Sequence, residues 1–494
     1  MHAPRAIVVG SGIGGMATAV RLSKKGYRVA VCESAARPGG KLSEFRLGDF
    51  RFDAGPSLFT LPHLLDKLFQ DCGKNPRDYF DYVKYPEGCH YFWDNGKSLF
   101  ASADSEEFAQ QCESTFGVPA QKVSKYLKRS AKNYEVTEPI FLSRSLHKMS
   151  TWFSRDFMRG LLQSPRFGLG KSMHAFNQKK IAEPHLVQLF DRFATYNGSD
   201  PYRAPGILTM IPHLEHNIGS FFPKGGMIDI PNAVYRLACE MGVEFHFNTR
   251  VEKIRVVDGK AVGVEVRDAE EISFLEADVV VSNMDVVPTY RKLLADQQAP
   301  EKILAQERSS SALIFYWGVD GSFPSLALHN IFFTKDSAKE FSTLFEAKTI
   351  TDDPTVYVHV SSRVCKDDAP EGKESWFVMI NVPGNKGQDW DTLIASSRKN
   401  ILEKISRVLG VDVSQRILAE HVLDPRGIEA NTSSYQGSLY GAASNTSSAA
   451  FFRHPNFSRH IPNLYFCGGS VHPGGGIPLC LYSAQIVSHL VPKA

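Results

Sequence analysis

The 494-residue chain lacks the marks of several broad classes of protein. Its eight cysteines (Cys32, Cys72, Cys89, Cys112, Cys239, Cys365, Cys467 and Cys480) are scattered, with no C-x-x-C pair. That pattern argues against a disulfide framework or a cysteine-built zinc site and fits reduced thiols in a cytoplasm. No apolar run approaches the roughly 20 residues that a membrane-spanning helix needs, and the mean hydropathy is −0.21. Ile7-Val8-Val9 is too short for a signal peptide and runs straight into glycines. There are no internal repeats or low-complexity tracts, and the formal net charge is only +3. Ser-His-Asp, H-E-x-x-H and paired-carboxylate signatures are missing too. His213-Leu-Glu215-His216 offers two histidines without further ligands, so it reads as ordinary polar contacts and no metal site is assigned.

Hydrophobic residues make up 43% and charged residues 22%, the composition of a globular protein. At roughly 100–200 residues per domain, the length predicts two or three units. Residues 5–9 read as a short buried strand, followed by the turn Gly10-Ser-Gly12-Ile13-Gly14-Gly15 and a helix ended by Gly26. Residues 27–32 form a second strand closed by Glu33. This is a G-x-G-x-x-G fingerprint in its required strand, turn, helix, strand and acid setting. Gly10 permits the turn, Gly12 admits a pyrophosphate, and Gly15 lets the helix pack closely. Glu33 is placed to accept from ribose hydroxyls.

Near the other end, Asn463-Leu-Tyr-Phe-Cys467-Gly468-Gly469-Ser470 reads as a strand entering a glycine turn. His472-Pro-Gly-Gly475-Gly476-Ile477-Pro478 then precedes a helical stretch to Leu490. Consecutive glycines there let the backbone lie flat against a ring system. Between these ends, residues 243–281 read as strands turning at Asp258-Gly259. Residues 311–318, 355–360 and 376–380 predict a mostly antiparallel sheet flooring an apolar tunnel, with a helix near 388–409.

Charge is unevenly spread. Residues 121–180 carry thirteen lysines and arginines against three acids. Residues 146–163, drawn as one helix, put Lys148, Arg155 and Arg159 on one face. Leu146, Phe153, Phe157 and Leu161 fall on another, beside Met149 and Trp152. That pattern fits a helix lying on an anionic membrane surface, although an amphipathic helix packed on its own core has the same period. Nothing resembles a nucleic-acid module, so nucleic acid is not an expected partner.

After Glu33 come Ser34, Arg37-Pro-Gly39-Gly40-Lys41 and Phe52-Asp53-Ala-Gly55-Pro56-Ser57. With these the chain resembles the FAD-containing amine oxidase and carotenoid desaturase superfamily. Lys41 stands where that family usually has arginine, keeping the charge but losing the bidentate fork. The ending, with Ser483-Ala484, resembles the bacterial carotenoid desaturases in particular. The resemblance implies an α/β fold: a Rossmann-like FAD-binding domain with an antiparallel-sheet substrate domain and a helical membrane-associating insertion. The FAD domain would comprise 1–65, 218–295 and 456–494, the substrate domain 66–112 and 296–455, and the helical region 113–217. It also implies adenine pairing through backbone at Val251 and flavin contacts from Asn283 and the Gly468–Pro478 turn.

Phe153-Ser-Arg155-Asp156-Phe-Met-Arg159 resembles the segment of these desaturases in which the acid and arginines have been proposed to act at the reacting end. The alternative is that Asp156 only pairs with Arg159 or Lys148. Residues 39–41 and 52–62 look most like the hydroxycarotenoid 3,4-desaturases. The implied reaction is FAD-dependent 3,4-dehydrogenation of a 1-hydroxycarotenoid, with oxygen or a quinone as electron acceptor, at the inner face of the cell membrane. Phytoene desaturase, a non-redox carotenoid isomerase and a flavin amine oxidase are the alternatives.

Overall fold

A computed structural model describes residues 3–163, 167–168, 170–269 and 271–494. Strand β1 (Arg5–Val9), helix α1 (Ile13–Lys24) and strand β2 (Arg28–Cys32) open the chain. The two strands pair in parallel inside a five-stranded sheet. Its order is Leu464–Phe466, Val279–Ser282, β1, β2 and Glu244–His246, so one sheet draws on three distant stretches of sequence. Strand alternation sorts the core. Ala6 and Val8 face a helical layer of α1, Asp229–Glu240 and Ile477–Leu490. Ile7 and Val9 face Val251, Ile254 and Val264 of a second, three-stranded sheet. That sheet turns at Asp258-Gly259, both with positive φ (49° and 74°), as a two-residue hairpin of this composition requires.

A seven-stranded sheet forms the other half of the molecule. Its order is Ile417–Leu423, Ser311–Asp320, Lys373–Val382, Val356–Val360, His329–Phe332, Glu87–Phe92 and Ser98–Ser102. All neighbours are antiparallel except His329–Phe332 beside Glu87–Phe92. Alternation again assigns the faces: Leu313, Phe315 and Trp317 pack in one core with helix Trp390–Leu409. Ala312 and Ile314 face the opposite way, toward a cavity. Helices from Ser105 to Asp191 pack against the edge strands and close the cavity from the side.

The helix predicted over 146–163 is two pieces, Met149–Trp152 and Arg155–Gln163. The break has a local cause. Ser154 Oγ accepts from the Phe157 amide at 3.2 Å and donates to the Thr151 carbonyl at 2.7 Å. It thus caps a new helix where periodicity alone continues the old one. Leu146, predicted on the lipid-facing side, is buried instead.

The halves are joined at Arg51. Its guanidinium meets Asp53 at 2.9 Å, Asp368 at 2.9 Å and Glu44 at 2.5 Å. Asp53 also accepts from the Met227 amide at 2.9 Å, so one buried cluster ties three chain segments together. Burial lifts the Asp53 carboxyl to about 6, against the pull of Arg51 and the amide. Replacing Arg51 by methionine leaves two buried carboxylates without their cation and should cost about 3–5 kcal/mol in denaturant unfolding. Asp53 binds its proton more tightly folded than unfolded (about 3.9). Its unpaired charge therefore hurts most above pH 6, and the loss should shrink as pH falls toward the unfolded value. A loss that stays constant with pH contradicts this account.

Candidate functional site

One cavity of about 1430 Å³ runs between the parallel sheet and the seven-stranded sheet. Small-molecule sites are ordinarily roughly 300–1,000 Å³, so this one has room for a dinucleotide and a second long ligand. Every cofactor residue predicted from sequence lines it, from Gly10 to Pro478, with the single exception of Gly15. The structure gives Gly15 a packing role. A Cβ there would lie 2.2 Å from the Gly10 carbonyl, so only glycine lets α1 close on the turn.

The dinucleotide end is built from helix termini. The N-terminus of α1 has Gly12 as its cap residue, with no side-chain capping bond and no acid in the first turn. Helix Ile477–Leu490, capped by Gly476 (φ 108°), begins the same way. First-turn amides without a protein acceptor, on two adjacent helices, make a strong anion site. Asn283 sits between them. A Cβ on Gly14 would lie 2.9 Å from Asn283 Oδ1 and 3.0 Å from Gly468 Cα, so amino-terminal, central and carboxyl-terminal segments meet at one amide. Glu33, at the end of β2, accepts from the Ser11 amide at 2.7 Å and hydroxyl at 2.8 Å, and from the Ala35 amide at 2.9 Å. Fixed in this way on the cavity wall, it still has lone pairs for a ribose. The strand Thr249–Val257 carries a bulge between Val251 and Lys253, which loosens the ladder where Val251 borders the cavity. A glycine cradle, two open helix termini and an acid on the cavity wall fit the needs of an FAD.

Lys41 takes a different part from a phosphate clamp. Its ammonium donates to the carbonyls of Leu439 at 3.0 Å and Ser438 at 3.3 Å, and burial lowers its pKa against the opposing pull of Asp285. It bridges the dinucleotide end to the cavity floor.

Beyond the glycine turns the cavity gains apolar walls, with Ile207, Leu208, Phe333, Phe377 and Met379 among them. Beside them lies a buried polar group that the sequence does not bring together. Glu215 accepts from Tyr196 at 2.5 Å and Tyr91 at 3.2 Å, and Arg192 lies 3.4 Å from it. His329 Nδ1 meets the Tyr357 hydroxyl at 2.8 Å, and that hydroxyl meets Ser57 at 2.8 Å. In sequence only Glu215 gave a signal, within His213-Leu-Glu215-His216, which reads as ordinary polar contacts. The neighbouring His216 stacks on Phe108 instead.

Asp156, Arg155 and Arg159 are not brought to this cavity. The Ser154 cap puts Asp156 in the first turn of a surface helix, where it pairs with Arg144 at 2.7 Å, neither side chain more than half buried by more than a little. The geometry lends the catalytic reading of these three residues no support, and Asp156 pairs with Arg144 in place of the expected Arg159 or Lys148.

Chains and folds already described agree with the geometry. The model of the flavin containing amine oxidoreductase family matches residues 13–491. A 1-hydroxycarotenoid 3,4-desaturase from Flavobacterium sp. (strain P99-3) is 52% identical over 489 residues, covering 99% of each chain. A 4,4'-diapolycopene oxygenase from Methylomonas sp is 32% identical over 489 residues, covering 98% of this chain and 97% of its own. Among solved structures, an oxidoreductase from Methanosarcina mazei aligns with a TM-score of 0.64 at 16% identity, over 98% of this chain and 99% of that one. Putrescine oxidase bound to putrescine aligns with a TM-score of 0.62 at 15% identity, over 98% of both. At those identities the two structures speak for the fold alone.

Gly12→Val should show no visible flavin absorption, because a Cβ there already meets Asn283 Nδ2 at 2.8 Å and a branched side chain fills the cradle. A normal flavin spectrum would refute the cradle.

Proposed function

The chain belongs to the flavin containing amine oxidoreductase family, and from that membership we propose that it desaturates a 1-hydroxycarotenoid at the 3,4 bond. It is an FAD-dependent oxidoreductase of carotenoid biosynthesis. The observation that carries the reading is that the glycine cradle and the apolar channel are one continuous cavity. A hydrocarbon chain lying in the channel reaches the ring without crossing water. The Gly10–Gly15 and Gly468–Pro478 turns with Glu33 would hold FAD, which would supply two-electron oxidation of the C–C bond, with oxygen or a quinone as final electron acceptor. The chain's own residues hold the polyene, align it and exclude water. We take 1–65, 218–295 and 456–494 as the flavin-holding unit. Residues 66–112 and 296–455 are the substrate unit, and 113–217 the helical region.

No helix among the described residues is long and apolar enough to cross a membrane. Docking on the cytoplasmic face of the cell membrane is the proposed route to a lipid-soluble substrate. Phe153 is 79% exposed, Leu162 84% and Met149 70%, with Met158 and Leu161 also exposed. Lys148, Arg155 and Arg159 stand exposed among them. Only Gly160 of helix Arg155–Gln163 is buried, against Ile140, next to the cavity-lining Phe141 and Leu142. An apolar patch so exposed beside the cavity wall suits entry from lipid.

Anaerobic addition of a carotenoid with a terminal tertiary hydroxyl should bleach the flavin and yield a product lighter by two hydrogens. Unchanged absorbance, or an isomer of unchanged mass, overturns the reading. Exchanging Lys148, Arg155 and Arg159 for glutamine removes about 1 kcal/mol of attraction each. Partition onto anionic phosphatidylglycerol vesicles should then fall by about a hundredfold. Unchanged co-sedimentation counts against docking.

A further inference from the structure

The polar group in the cavity wall is expensive to keep there. Glu215 and His329 on the cavity wall and Tyr91 behind it are buried, and Arg192 is nearly so, beside apolar residues such as Ile331 and Phe333. Most of their hydrogen-bonding capacity is met internally. Arg192 Nη2 donates to the Tyr91 hydroxyl at 3.0 Å and balances the charge of Glu215. Burial works against the Glu215 carboxylate, yet Arg192, His216 and the Tyr196 hydroxyl outweigh it and hold its carboxyl below the ordinary range. The group is therefore a neutral pair, suited to a neutral ligand.

One atom on the cavity-lining His329 is left over. Its Nε2 is buried with no hydrogen-bond partner. Burial lowers the ring's pKa to about 4, so it is uncharged near neutrality. Which proton it carries depends on Tyr357. If the tyrosine hydroxyl donates to Ser57, it accepts from His329 Nδ1–H, and Nε2 is an acceptor. If the hydroxyl donates to Nδ1, Nε2–H is a donor. A ligand hydroxyl both donates and accepts, so it satisfies either tautomer; a carbonyl or ether satisfies one. A carboxylate would meet the charge of Glu215.

Position supports the same ligand. Ser57 follows Gly55-Pro56, a turn locked in place because a Cβ on Gly55 would fall 1.7 Å from the Lys41 carbonyl. Gly55 and Pro56 line the cavity together with the glycine cradle. From Ser57 two hydrogen bonds lead, through Tyr357, to His329. In a 1-hydroxycarotenoid, the hydroxyl-bearing carbon is two bonds from the nearer carbon of the 3,4 bond. A hydroxyl anchor for that substrate must therefore stand close to the flavin turn, as this one does.

We propose that His329, supported by Tyr357 and the Arg192–Glu215–Tyr196 cluster, binds the terminal hydroxyl of the substrate and selects hydroxylated ends over plain hydrocarbon ends. The inference rests on the function proposed above. It adds a specificity-determining residue to that reading.

The test compares two polyenes that differ only in the terminal hydroxyl, using flavin-loaded protein. Wild type should favour the hydroxylated compound in kcat/KM, and in binding to dithionite-reduced enzyme, which cannot turn over. His329→Leu should cut that preference by at least about tenfold in both measurements, with the loss in KM and in binding. His329→Gln, which restores a polar atom, should recover part of it. If the leucine variant fails to load flavin, Tyr196→Phe and His329→Gln carry the comparison, each with a reduced preference expected. An unchanged preference in flavin-loaded variants overturns the anchor while leaving the reaction assignment intact. Failure of wild type to act on the hydroxylated compound overturns the reaction assignment, while the preference in binding to reduced enzyme still decides the anchor.

Discussion

The fold depends on how closely backbone turns approach one another around Asn283. Its amide lies where side chains on Gly12, Gly14 and Gly468 would have to go, so the first, central and last parts of the cradle share one small space. Glycine is required there by contact distance. A single added methyl has no free volume to enter, because its neighbours are backbone or a side chain held between backbones. The same crowding is what presents two uncapped helix termini to one ligand. Packing and anion binding are thus two results of one constraint.

The seven-stranded sheet adds the second requirement, a wall with two characters. Strands buried on both faces must send alternate residues to different tasks. In Lys373–Val382, Trp376, Val378 and Ile380 build the core beneath, and Phe377 and Met379 face the cavity. Residues such as His329 and Tyr357 are polar insertions into that second row. Sheet register therefore fixes where a polar atom can appear along a hydrocarbon channel. Arg51 keeps this wall in place relative to the cradle, since its partners Asp53 and Asp368 come from opposite sides of the joint.

How much of this is legible in the sequence follows from how local each cause is. Gly10–Gly15, Glu33 and Gly475-Gly476 are demands of the chain on itself within a few residues, and their spacing reports them directly. The Asp258-Gly259 hairpin is equally local. The break at Ser154 was also written locally, as a hydroxyl three residues before Phe157, but the apolar period running through it is the stronger pattern. The catalytic reading of Asp156 came from a resemblance of its segment, and the geometry shows only its pairing with Arg144. The His329 cluster is the opposite case. Tyr91, Arg192, Glu215, His329 and Tyr357 come from separate segments, and each alone is an unremarkable polar residue. Only strand pairing and helix packing make them neighbours.

The strand order of the parallel sheet has a consequence for how the protein is made. β1 and α1 leave the ribosome early, whereas Leu464–Phe466 and the helix after it emerge only after the rest of the cavity has been synthesised. Until then the sheet has an open edge and the glycine turn has no opposing half. A nascent chain with an apolar, unclosed nucleotide fold is therefore an unavoidable stage of biosynthesis, and chaperones have most of translation in which to hold it.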